Sequence, residues 1–463
     1  MLSPRLKNLY EATNKLLRWK ATPRLHKVLA RTRAEDLAVV LALFPPLQRA
    51  ELFELVPDDE KKGLILTELG EDQARELLEG LANERVLLLL RPLSPDEQAY
   101  IFRLLPEART QELLVTLKGE EGAQVEGLLR YPPDTAGGMM VPVFFAQREG
   151  TTAGEAIRAL QSSGQDVDMP FYLYVINDYD QLVGVVSLRQ LVVRQASTPL
   201  SEIMSTDVLS VRPETDQEEV SRIVARYNIL AVPVVDESNR LLGICTVDDL
   251  IDVMQDEATE DILKMAGAGD EALDHPDVWR GVKARAPWLA VAMAGGLFAA
   301  MIIRQFESLL LALPLLAGFI PLILGMGGNV GTQSVTIVVR GLSTGRIDTH
   351  RLLRTSLTEL TIGAILGGAA GLLIFGFVLF LGHEAGFGTA LALGAVISLA
   401  AFLSMAGAAA LGTGIPLLLA KLHLDPAVST GPLVTSALDV LGLAIYFLLG
   451  SLLLPLLLPA VVG

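Results

Sequence analysis

The stretch Pro432-Leu-Val-Thr-Ser-Ala-Leu-Asp439-Val-Leu-Gly-Leu-Ala-Ile-Tyr-Phe-Leu-Leu-Gly450 is almost entirely apolar and carries one acidic residue, Asp439. The C-terminal part of the chain contains five apolar stretches, at approximately 286–303, 309–339, 358–382, 387–420 and 427–458. Each has at least about 18 residues, enough for a helix to cross a hydrocarbon core of roughly 30 Å. We therefore predict an α-helical transmembrane domain with five spans over residues 284–463.

The composition separates this apolar part from an acidic N-terminal part. Charged residues make up 19% of the 463 residues, whereas soluble proteins carry about 25%. Residues 283–463 contain eight of the 37 Lys and Arg and six of the 53 Asp and Glu, so residues 1–282 have a net charge of −18. This charge disfavours nucleic acid and anionic membrane surfaces as partners of the soluble part, and it favours cations.

Basic residues orient the predicted spans. If the N-terminus is cytoplasmic, seven of the eight basic residues in 283–463 lie on the cytoplasmic side and only Arg304 lies outside, as the positive-inside rule requires. The first twenty residues lack the apolar core of a secretory signal. We expect a multi-pass protein of the plasma (inner) membrane, with a cytoplasmic N-terminus and an external C-terminus.

Leucines recur every twelve residues in the N-terminal part, at Leu69, Leu81, Leu93, Leu105 and Leu117, and a breaker or polar turn follows each. The segment Ser94-Pro-Asp-Glu97 has Ser at the N-cap, Pro at N1 and Glu at N3, which is a good helix start. A short fixed period favours stacked helices in an all-α superhelical domain over residues 1–136. A plain helical bundle is the alternative.

Residues 137–256 contain an internal duplication with an offset of 59 residues. The segment from Tyr174 to Leu191, with Gly184 and Ser187, aligns with the segment from Pro233 to Leu250. Each copy is predicted as strand, polar turn, strand and helix. The copies resemble a tandem pair of α/β CBS domains, the first over 137–198 and the second over 199–256.

The resemblance to CBS pairs implies a site for an adenine nucleotide such as ATP. The Gly-x-x-Thr-x-x-Asp signature of such sites is matched in the second copy by Gly243, Thr246 and Asp249, whereas the first copy has Gln190 at the acidic position. A CBS pair that binds no nucleotide is the alternative. The candidate nucleotide-binding residues are Tyr172, Arg189, Gly243, Thr246 and Asp249.

Asp439 lies well inside an apolar helix, where a carboxylate costs at least about 2.5–3.5 kcal/mol. No Lys or Arg lies deep in any predicted span, so a salt bridge is not expected there. We interpret Asp439 as the carboxylate of a cation pathway. A protonated, merely tolerated Asp is the alternative.

The second predicted span contains Gly325-Met-Gly-Gly-Asn-Val-Gly-Thr-Gln-Ser334. Glycines beside Asn, Thr and Gln predict a local unwinding that exposes carbonyls to a water-filled cavity, and helix packing through glycine is the alternative. Carbonyl, amide and carboxylate oxygens suit Mg²⁺ or Ca²⁺. The candidate ion-pathway residues are Gly328, Asn329, Gln333, Thr336, Thr435 and Asp439.

Taken together, these motifs resemble the MgtE family of magnesium transporters over nearly all of the chain. The resemblance also covers Asp134-Thr-Ala-Gly-Gly-Met-Met-Val-Pro142, Phe306-Glu-Ser308 and Asp425-Pro-Ala-Val-Ser429. It implies a homodimeric, Mg²⁺-selective channel in the lipid membrane that its cytoplasmic domains close when Mg²⁺ is abundant. The resemblance also implies that Asp439 is the carboxylate that gives the channel its selectivity for Mg²⁺.

Two positions depart from the family pattern, because Thr332 and Gly431 stand where the family often has Asn. A transporter with broader specificity for divalent cations such as Co²⁺, or one coupled to protons with Glu359 as relay, is therefore the alternative function. A membrane enzyme is not expected, since no nucleophile–base constellation, phosphate-binding loop or zinc motif occurs in the sequence.

Residues 248–261 contain seven acidic and no basic residues. On a helix Asp249, Asp252, Asp256 and Glu260 share one face, where like charges destabilise the helix by about 0.2–0.5 kcal/mol per pair. The run leads into the segment 257–283 before the first span, which predicts an acidic connector helix controlled by metal ions. A solvated acidic face is the alternative.

The family resemblance implies how Mg²⁺ closes the pathway. Without Mg²⁺ the carboxylates repel each other, and with Mg²⁺ between them the domains pack and the connector blocks the pore. Asn228 stands where the family has Asp. The implied regulatory metal positions are Asp96, Asp216, Glu218, Asp249, Asp252, Glu257, Glu260 and Asp261.

Overall fold

The computed structural model describes residues 3–117, 119–163, 171–268, 278–347, 352–381, 386–422, 424–429 and 431–458. By its internal contacts the chain divides into two units, Met1–Gln255 and Asp256–Gly463. The first unit contains short helices followed by two small α/β copies. The second unit contains the long apolar helices.

The N-terminal part of the described chain is built from ten helices. They are α1 Pro4–Arg18, α2 Thr22–Arg31, α3 Ala34–Ala42, α4 Pro46–Glu54, α5 Asp59–Glu68, α6 Glu71–Glu79, α7 Asn83–Leu90, α8 Pro95–Leu104, α9 Glu107–Thr116 and α10 Glu120–Leu129. From Asp59 to Glu107, five successive helices begin twelve residues apart. The predicted twelve-residue period is therefore the period of the helices.

Many of these helices pack against the helix two before them: α1, α3, α5 and α7 form one row, and α4, α6, α8 and α10 form another. This pattern is that of a stacked superhelix, as predicted. The predicted start of α8 is also confirmed, since the Ser94 backbone N–H and hydroxyl both donate to Glu97 Oε2 at 2.9 Å. The Arg109 side chain also stabilises the end of α6, because it donates to the carbonyl oxygens of Leu78 and Leu81.

The two α/β copies preserve the offset of 59 residues in their strands. The elements are α11 Ala136–Met139, β1 Ala146–Arg148, α12 Ala153–Ser163, β2 Tyr172–Ile176, β3 Leu182–Ser187, α13 Leu188–Val193, α14 Leu200–Ile203, α15 Gln217–Tyr227, β4 Ala231–Val235, β5 Leu241–Thr246 and α16 Val247–Met265. In the first copy β1 is parallel to β2 and β2 is antiparallel to β3. In the second copy β4 is antiparallel to β5, and Val211 forms the corresponding parallel bridge to Val234.

The copies pair with each other through backbone and core contacts. The Leu182 N–H donates to the Asn239 carbonyl at 2.9 Å, and the Asn239 amide donates to the Leu182 carbonyl at 2.7 Å. Tyr174 of β2 and Val235 of β4 share one hydrophobic cluster. The duplication read from the sequence is thus a packed pair of domains.

The second unit contains five helices that are long and apolar enough to cross a membrane, counted over the described residues. They are span 1 Val278–Gln305, span 2 Leu315–Ser343, span 3 Leu352–Leu381, span 4 Phe387–Lys421 and span 5 Pro432–Leu457. A short helix Glu307–Ala312 precedes span 2, and a 3₁₀ turn Pro426–Ser429 precedes span 5. The prediction of five spans is confirmed, although span 2 begins after Pro314 and not at 309.

The predicted unwinding of span 2 at the glycine-rich segment is wrong, because Leu315–Ser343 is one continuous helix. In lipid, backbone groups need partners within the protein, and an unbroken helix supplies them. Gly331 of this segment serves close packing instead. A Cβ atom on Gly412 of span 4 would lie 2.5 Å from the Gly331 carbonyl oxygen of span 2, so only glycine allows this approach.

The acidic connector differs in extent from the predicted segment 257–283. Helix α16 follows β5 directly and runs from Val247 to Met265, and residues 278–283 already belong to span 1. Residues 269–277 of the predicted connector lie outside the described residues. The acidic run therefore lies within a helix that starts as the last element of the second α/β copy.

Candidate ion pathway and regulatory sites

Span 2 carries a polar stripe on its exposed side. Asn329, Thr332, Gln333 and Thr336 are all exposed, whereas Gly327, Gly331, Ser334 and Val338 on the other side are buried. Of the predicted pathway residues on this span, Asn329, Gln333 and Thr336 lie on the stripe, and Gly328 beside it is half-buried. The continuous helix thus presents side-chain oxygens, and not unwound carbonyls, along this stripe.

Asp439 of span 5 is half-buried and has no hydrogen-bond or ion-pair partner among the described residues. It lies seven residues after Pro432, so about 10 Å along the helix axis, and Thr435 is exposed one turn before it. The neighbouring Leu438 packs directly against Gly331 of span 2. Spans 2 and 5 therefore meet at this level in one seam, which their buried sides form.

The stripe and Asp439 place hard oxygen ligands on helices that are otherwise apolar. Polar side chains that face lipid are costly, so the stripe and Asp439 need water, a cation or another protein surface beside them. Carboxylate, amide and hydroxyl oxygens are the groups that Mg²⁺ and its bound waters prefer. The arrangement suits a hydrated divalent cation.

A second carboxylate lies inside the membrane-spanning unit, on the opposite side of span 2. The Ser334 hydroxyl donates to Glu359 Oε2 of span 3 at 2.8 Å, and the two residues are 3% and 8% exposed. Sequence reasoning identified Glu359 but not its partner. The pair is 25 residues apart on different helices, so no local pattern indicates it.

The end of helix α16 is attached to the membrane-spanning unit by polar contacts. The Lys264 ammonium group lies 2.8 Å from Asp425 Oδ2 and also pairs with Glu260. The Ser343 hydroxyl donates to Asp261 Oδ2 at 2.9 Å, while burial raises the pKa of Asp261. Two predicted regulatory residues, Glu260 and Asp261, thus lie at this attachment. The sequence analysis did not identify Lys264 as part of it.

Met265, the last residue of α16, packs on the apolar cluster that contains Val335 of span 2 and Leu438 of span 5. Leu438 directly precedes Asp439. The acidic end of the helix therefore lies next to the helices that carry the pathway residues. Glu257 lies on the same helix, within the same unit.

In the first unit, Asp96 of α8 faces Asp249 of α16. Asp96 Oδ1 is buried without a hydrogen-bond partner, and burial together with the charge of Asp249 raises the pKa of Asp96 to about 7. Burial also raises the pKa of Asp249 to about 6, although its Oδ2 accepts a hydrogen bond from Thr246 Oγ1 at 2.5 Å. An orphaned carboxylate oxygen beside a second carboxylate fits a cation.

Further acids surround this pair. Burial and the charges of Glu35, Asp252 and Glu97 raise the pKa of Glu68 at the end of α5. The sequence analysis did not identify Glu68 and Glu97 as site residues. The signal that could have found them is the twelve-residue helix period, because it stacks α5, α6 and α8 and so brings the two acids near each other. Among the described residues no three His, Cys, Asp or Glu side chains form a preformed metal centre.

Two other predicted regulatory residues lie at the start of α15. Asp216 is its N-cap and accepts a hydrogen bond from the Glu218 backbone N–H at 2.8 Å. Asn228, which departs from the family pattern, ends this helix in the left-handed conformation with φ +52°. Asn tolerates that conformation better than most residues, which accounts for its presence.

The predicted nucleotide-binding residues fall into two groups. Tyr172 and Arg189 line an open cleft of about 510 Å³ in the first copy, together with Phe171, Ser187 and Leu188. Tyr172 also lines an adjoining cleft of about 100 Å³ with Asp207 and Ile229. Gly243 is buried against Met140, and Thr246 bonds Asp249. None of these three signature residues is among the described residues that line the two clefts.

Comparison with known proteins agrees with this architecture. Family models match a divalent cation transporter domain over residues 320–449, an MgtE intracellular N domain over 32–134 and a CBS domain over 200–256. The magnesium transporter MgtE of Thermus thermophilus is 40% identical over 342 residues, which cover 72% of this chain and 73% of that protein. The chain belongs to the MgtE family. A second relative, MgtE of Bacillus subtilis, is 38% identical over 71% of each chain.

A solved structure of the cytosolic domain of the Mg²⁺ channel MgtE in complex with ATP also matches, with 36% identity and a TM-score of 0.50. The match covers 53% of this chain and 99% of that one. MgtE membership and the five apolar helices make this a multi-pass membrane protein. The predicted fold class, a helical N-domain, a CBS pair and a helical transmembrane domain, is confirmed.

Proposed function

We propose that this protein transports Mg²⁺ across the membrane along the seam between spans 2 and 5. The observation that carries the proposal is the exposed polar stripe of span 2 together with the half-buried Asp439 of span 5, on helices that are otherwise apolar. The relatives named as magnesium transporters support the choice of ion. Mg²⁺ is here the transported substrate.

Each pathway residue has a role that follows from the chemistry of the ion. Mg²⁺ loses its waters reluctantly and usually keeps several of them. The Asp439 carboxylate supplies the negative charge that offsets the loss of bulk water. Asn329, Gln333, Thr336 and Thr435 accept hydrogen bonds from the waters that the ion retains.

The pathway needs a second protein surface opposite the stripe, because the stripe is exposed on a single chain. We propose a homodimer in which two copies of the stripe and of Asp439 enclose the pathway, with the N-terminus in the cytoplasm. This arrangement removes the polar stripe from lipid. Transport coupled to protons, with Glu359 as relay, and a broader specificity that includes Co²⁺ are the second candidate.

The acidic side chains provide a gate. Mg²⁺ bound between Asp96 and Asp249, with Asp252 close by, offsets their repulsion and favours the packed first unit. Glu257, Glu260 and Asp261 provide a comparable place on α16 in the second unit. Mg²⁺ uses few carboxylates per ion, so pairs suffice, and closure follows from tighter binding to the packed state.

ATP bound in the Tyr172–Arg189 cleft is proposed as a modulator of the same equilibrium. An aromatic ring and a guanidinium group suit an adenine ring and phosphates. The ATP complex of the related cytosolic domain supports this choice. Asp216 and Glu218 at the start of α15 remain proposed metal positions.

Mg²⁺ flux into proteoliposomes tests the proposed pathway. Asp439→Asn removes the charge and keeps the shape, and we expect Mg²⁺ flux to fall at least about tenfold, as the loss of a desolvated charge contact implies. Glu307→Gln, which neutralises an exposed carboxylate outside the five spans, is the matched control and is expected to conduct. Wild-type conduction by Asp439→Asn would remove the pathway assignment, and dependence of flux on an imposed proton gradient would favour the coupled transporter.

Protease sensitivity of α16 tests the gate. Millimolar Mg²⁺ is expected to protect the helix from chymotrypsin in the full chain. Asp96→Asn combined with Asp249→Asn is expected to weaken that protection. Absence of any protection by Mg²⁺ in the wild type would refute the gate.

A further inference from the structure

Glu359 is a buried carboxylate that the proposed pathway does not use. It lies in span 3, is 8% exposed and accepts a hydrogen bond from the Ser334 hydroxyl of span 2 at 2.8 Å. Ser334 is 3% exposed. A carboxyl group in the interior of a membrane-spanning bundle is costly, which calls for a role that an apolar side chain does not fill.

The contact lies on the packed side of span 2, close to its glycine contact with span 4. Ser334 follows Gly331 by three residues, nearly one helical turn, and Gly331 is the residue that Gly412 approaches. A glycine contact brings two backbones close together but has no interlocking side chain to resist rotation. A hydrogen bond between side chains is directional and resists it.

Rotation of span 2 matters because the polar stripe lies on the side opposite Ser334. At about 100° per residue, Thr332 and Thr336 lie about 160° around the helix from Ser334, and Asn329 lies about 140° around. On a helix of about 5–6 Å radius, a rotation of about 20° moves a side-chain end by about 2 Å. Such a shift breaks a hydrogen bond to a hydrated ion.

We propose that Glu359 is a positioning residue of the ion pathway, which holds Ser334 and thereby fixes the rotation of span 2 that aims Asn329, Thr332 and Thr336 at the transported ion. This inference rests on the proposed pathway between spans 2 and 5. Glu359 itself touches no transported ion in this scheme. Its effect is on the discrimination between ions, because the geometry of the oxygens sets how well the hydration shell of each ion is matched.

Four variants separate positioning from simple stability. Ser334→Ala removes only the hydroxyl, and Glu359→Leu removes the acceptor. Glu359→Gln keeps an oxygen that accepts the hydrogen bond. Thr413→Val is the matched control, because Thr413 is a buried hydroxyl of span 4 that bonds only the Ala409 carbonyl of its own helix.

The measurement is the ratio of Mg²⁺ to Co²⁺ flux in proteoliposomes, with each flux normalised to the amount of folded protein. Ser334→Ala and Glu359→Leu are each expected to change the ratio by about three- to tenfold, the effect of one buried hydrogen bond. The double variant is expected to change it no more than either single variant. Glu359→Gln and Thr413→Val are expected to keep the wild-type ratio.

The outcomes also distinguish this inference from the proposed function. If Ser334→Ala and Glu359→Leu conduct with the wild-type ratio, or if their effects simply add, the positioning role is overturned while the pathway stands. An equal change of the ratio in Thr413→Val would overturn it too, because loss of any buried hydroxyl would then suffice. Conduction by Asp439→Asn at the wild-type level is the separate result that removes the pathway.

Discussion

The ammonium group of Lys264 lies between two carboxylates, 2.8 Å from Asp425 Oδ2 and paired with Glu260 one turn earlier in its own helix. Burial favours the neutral amine, but the hydrogen bonds to Asp425 and Glu260 raise the pKa of Lys264. A permanent positive charge thus connects the end of α16 to the segment before span 5. It occupies the kind of position that a regulatory cation is proposed to fill.

Lys264→Met is expected to make closure depend more strongly on Mg²⁺. A partly exposed ion pair contributes roughly 0.2–1 kcal/mol, so the Mg²⁺ concentration that halves the flux is expected to rise about two- to fivefold. Flux in proteoliposomes, recorded as the Mg²⁺ concentration is increased stepwise, measures the concentration that halves the flux. Lys283→Met removes an equal charge from an exposed position and is expected to match the wild type. An unchanged midpoint in Lys264→Met would show that the ion pair does not favour the closed state.

The stability of the first unit is expected to depend on pH when divalent cations are absent. The pKa of Asp96 is raised to about 7 in the folded protein, so its stabilising effect is full at acid pH and is lost as the pH rises through about 7. Between pH 6 and pH 8 this one group changes the free energy of unfolding by about 1 kcal/mol.

Thermal unfolding of the full chain in detergent with a chelator measures this effect. The first transition of the wild type is expected to fall by a few degrees from pH 6 to pH 8, and Asp96→Asn is expected to remove most of that fall. Glu107→Gln, which changes an exposed carboxylate on the next helix, is the control. A fall of equal size in Asp96→Asn would assign the dependence to other groups.

Gly412→Ala is expected to destabilise the membrane-spanning unit by about 1–3 kcal/mol, as overpacking of a filled interface does. The added methyl group would lie 2.5 Å from the Gly331 carbonyl oxygen, so spans 2 and 4 must separate. Gly414→Ala in the same helix meets nothing within 4 Å and is expected to have no such cost. Thermal denaturation in detergent compares them, and equal stability of the two variants contradicts the close contact.

Tyr172→Ala is expected to weaken ATP binding about tenfold or more, because the ring lines both clefts and stacking on an adenine contributes roughly 1–3 kcal/mol. Equilibrium dialysis with ATP measures it. Tyr179→Ala removes a ring that is 74% exposed on a hairpin turn and serves as the control. If Thr246→Ala weakens binding and Tyr172→Ala does not, the nucleotide occupies the second copy instead.

The sequence predicted those features that follow from periodicity or from local backbone chemistry. The twelve-residue leucine spacing predicted the period of the stacked helices, and Ser94 with Glu97 predicted the cap of α8. Lengths of apolar sequence predicted the five spans. In each case the pattern and the structure depend on neighbours along the chain.

The features that the sequence did not predict depend on contacts between residues that are distant along the chain. The glycines of span 2 suggested a broken helix, because the sequence does not show that Gly412 lies against Gly331. Lys264 and Asp425 are 161 residues apart, and nothing local pairs them. The match of Thr246 and Asp249 to a nucleotide signature did not reveal that α8 brings Asp96 against them.

The regular spacing of helices from Asp59 to Glu107 restricts how this protein tolerates changes of length. Because alternate helices form the two rows, removing or adding two whole helices in that region, twice the twelve-residue period, keeps every later helix in its own row. A change by one helix moves the following helices to the other row and separates Asp96 from Asp249. Natural variation in length should therefore come as pairs of helices there, and a designer who wishes to retune the ion sensor has a pair of helices as the unit of exchange.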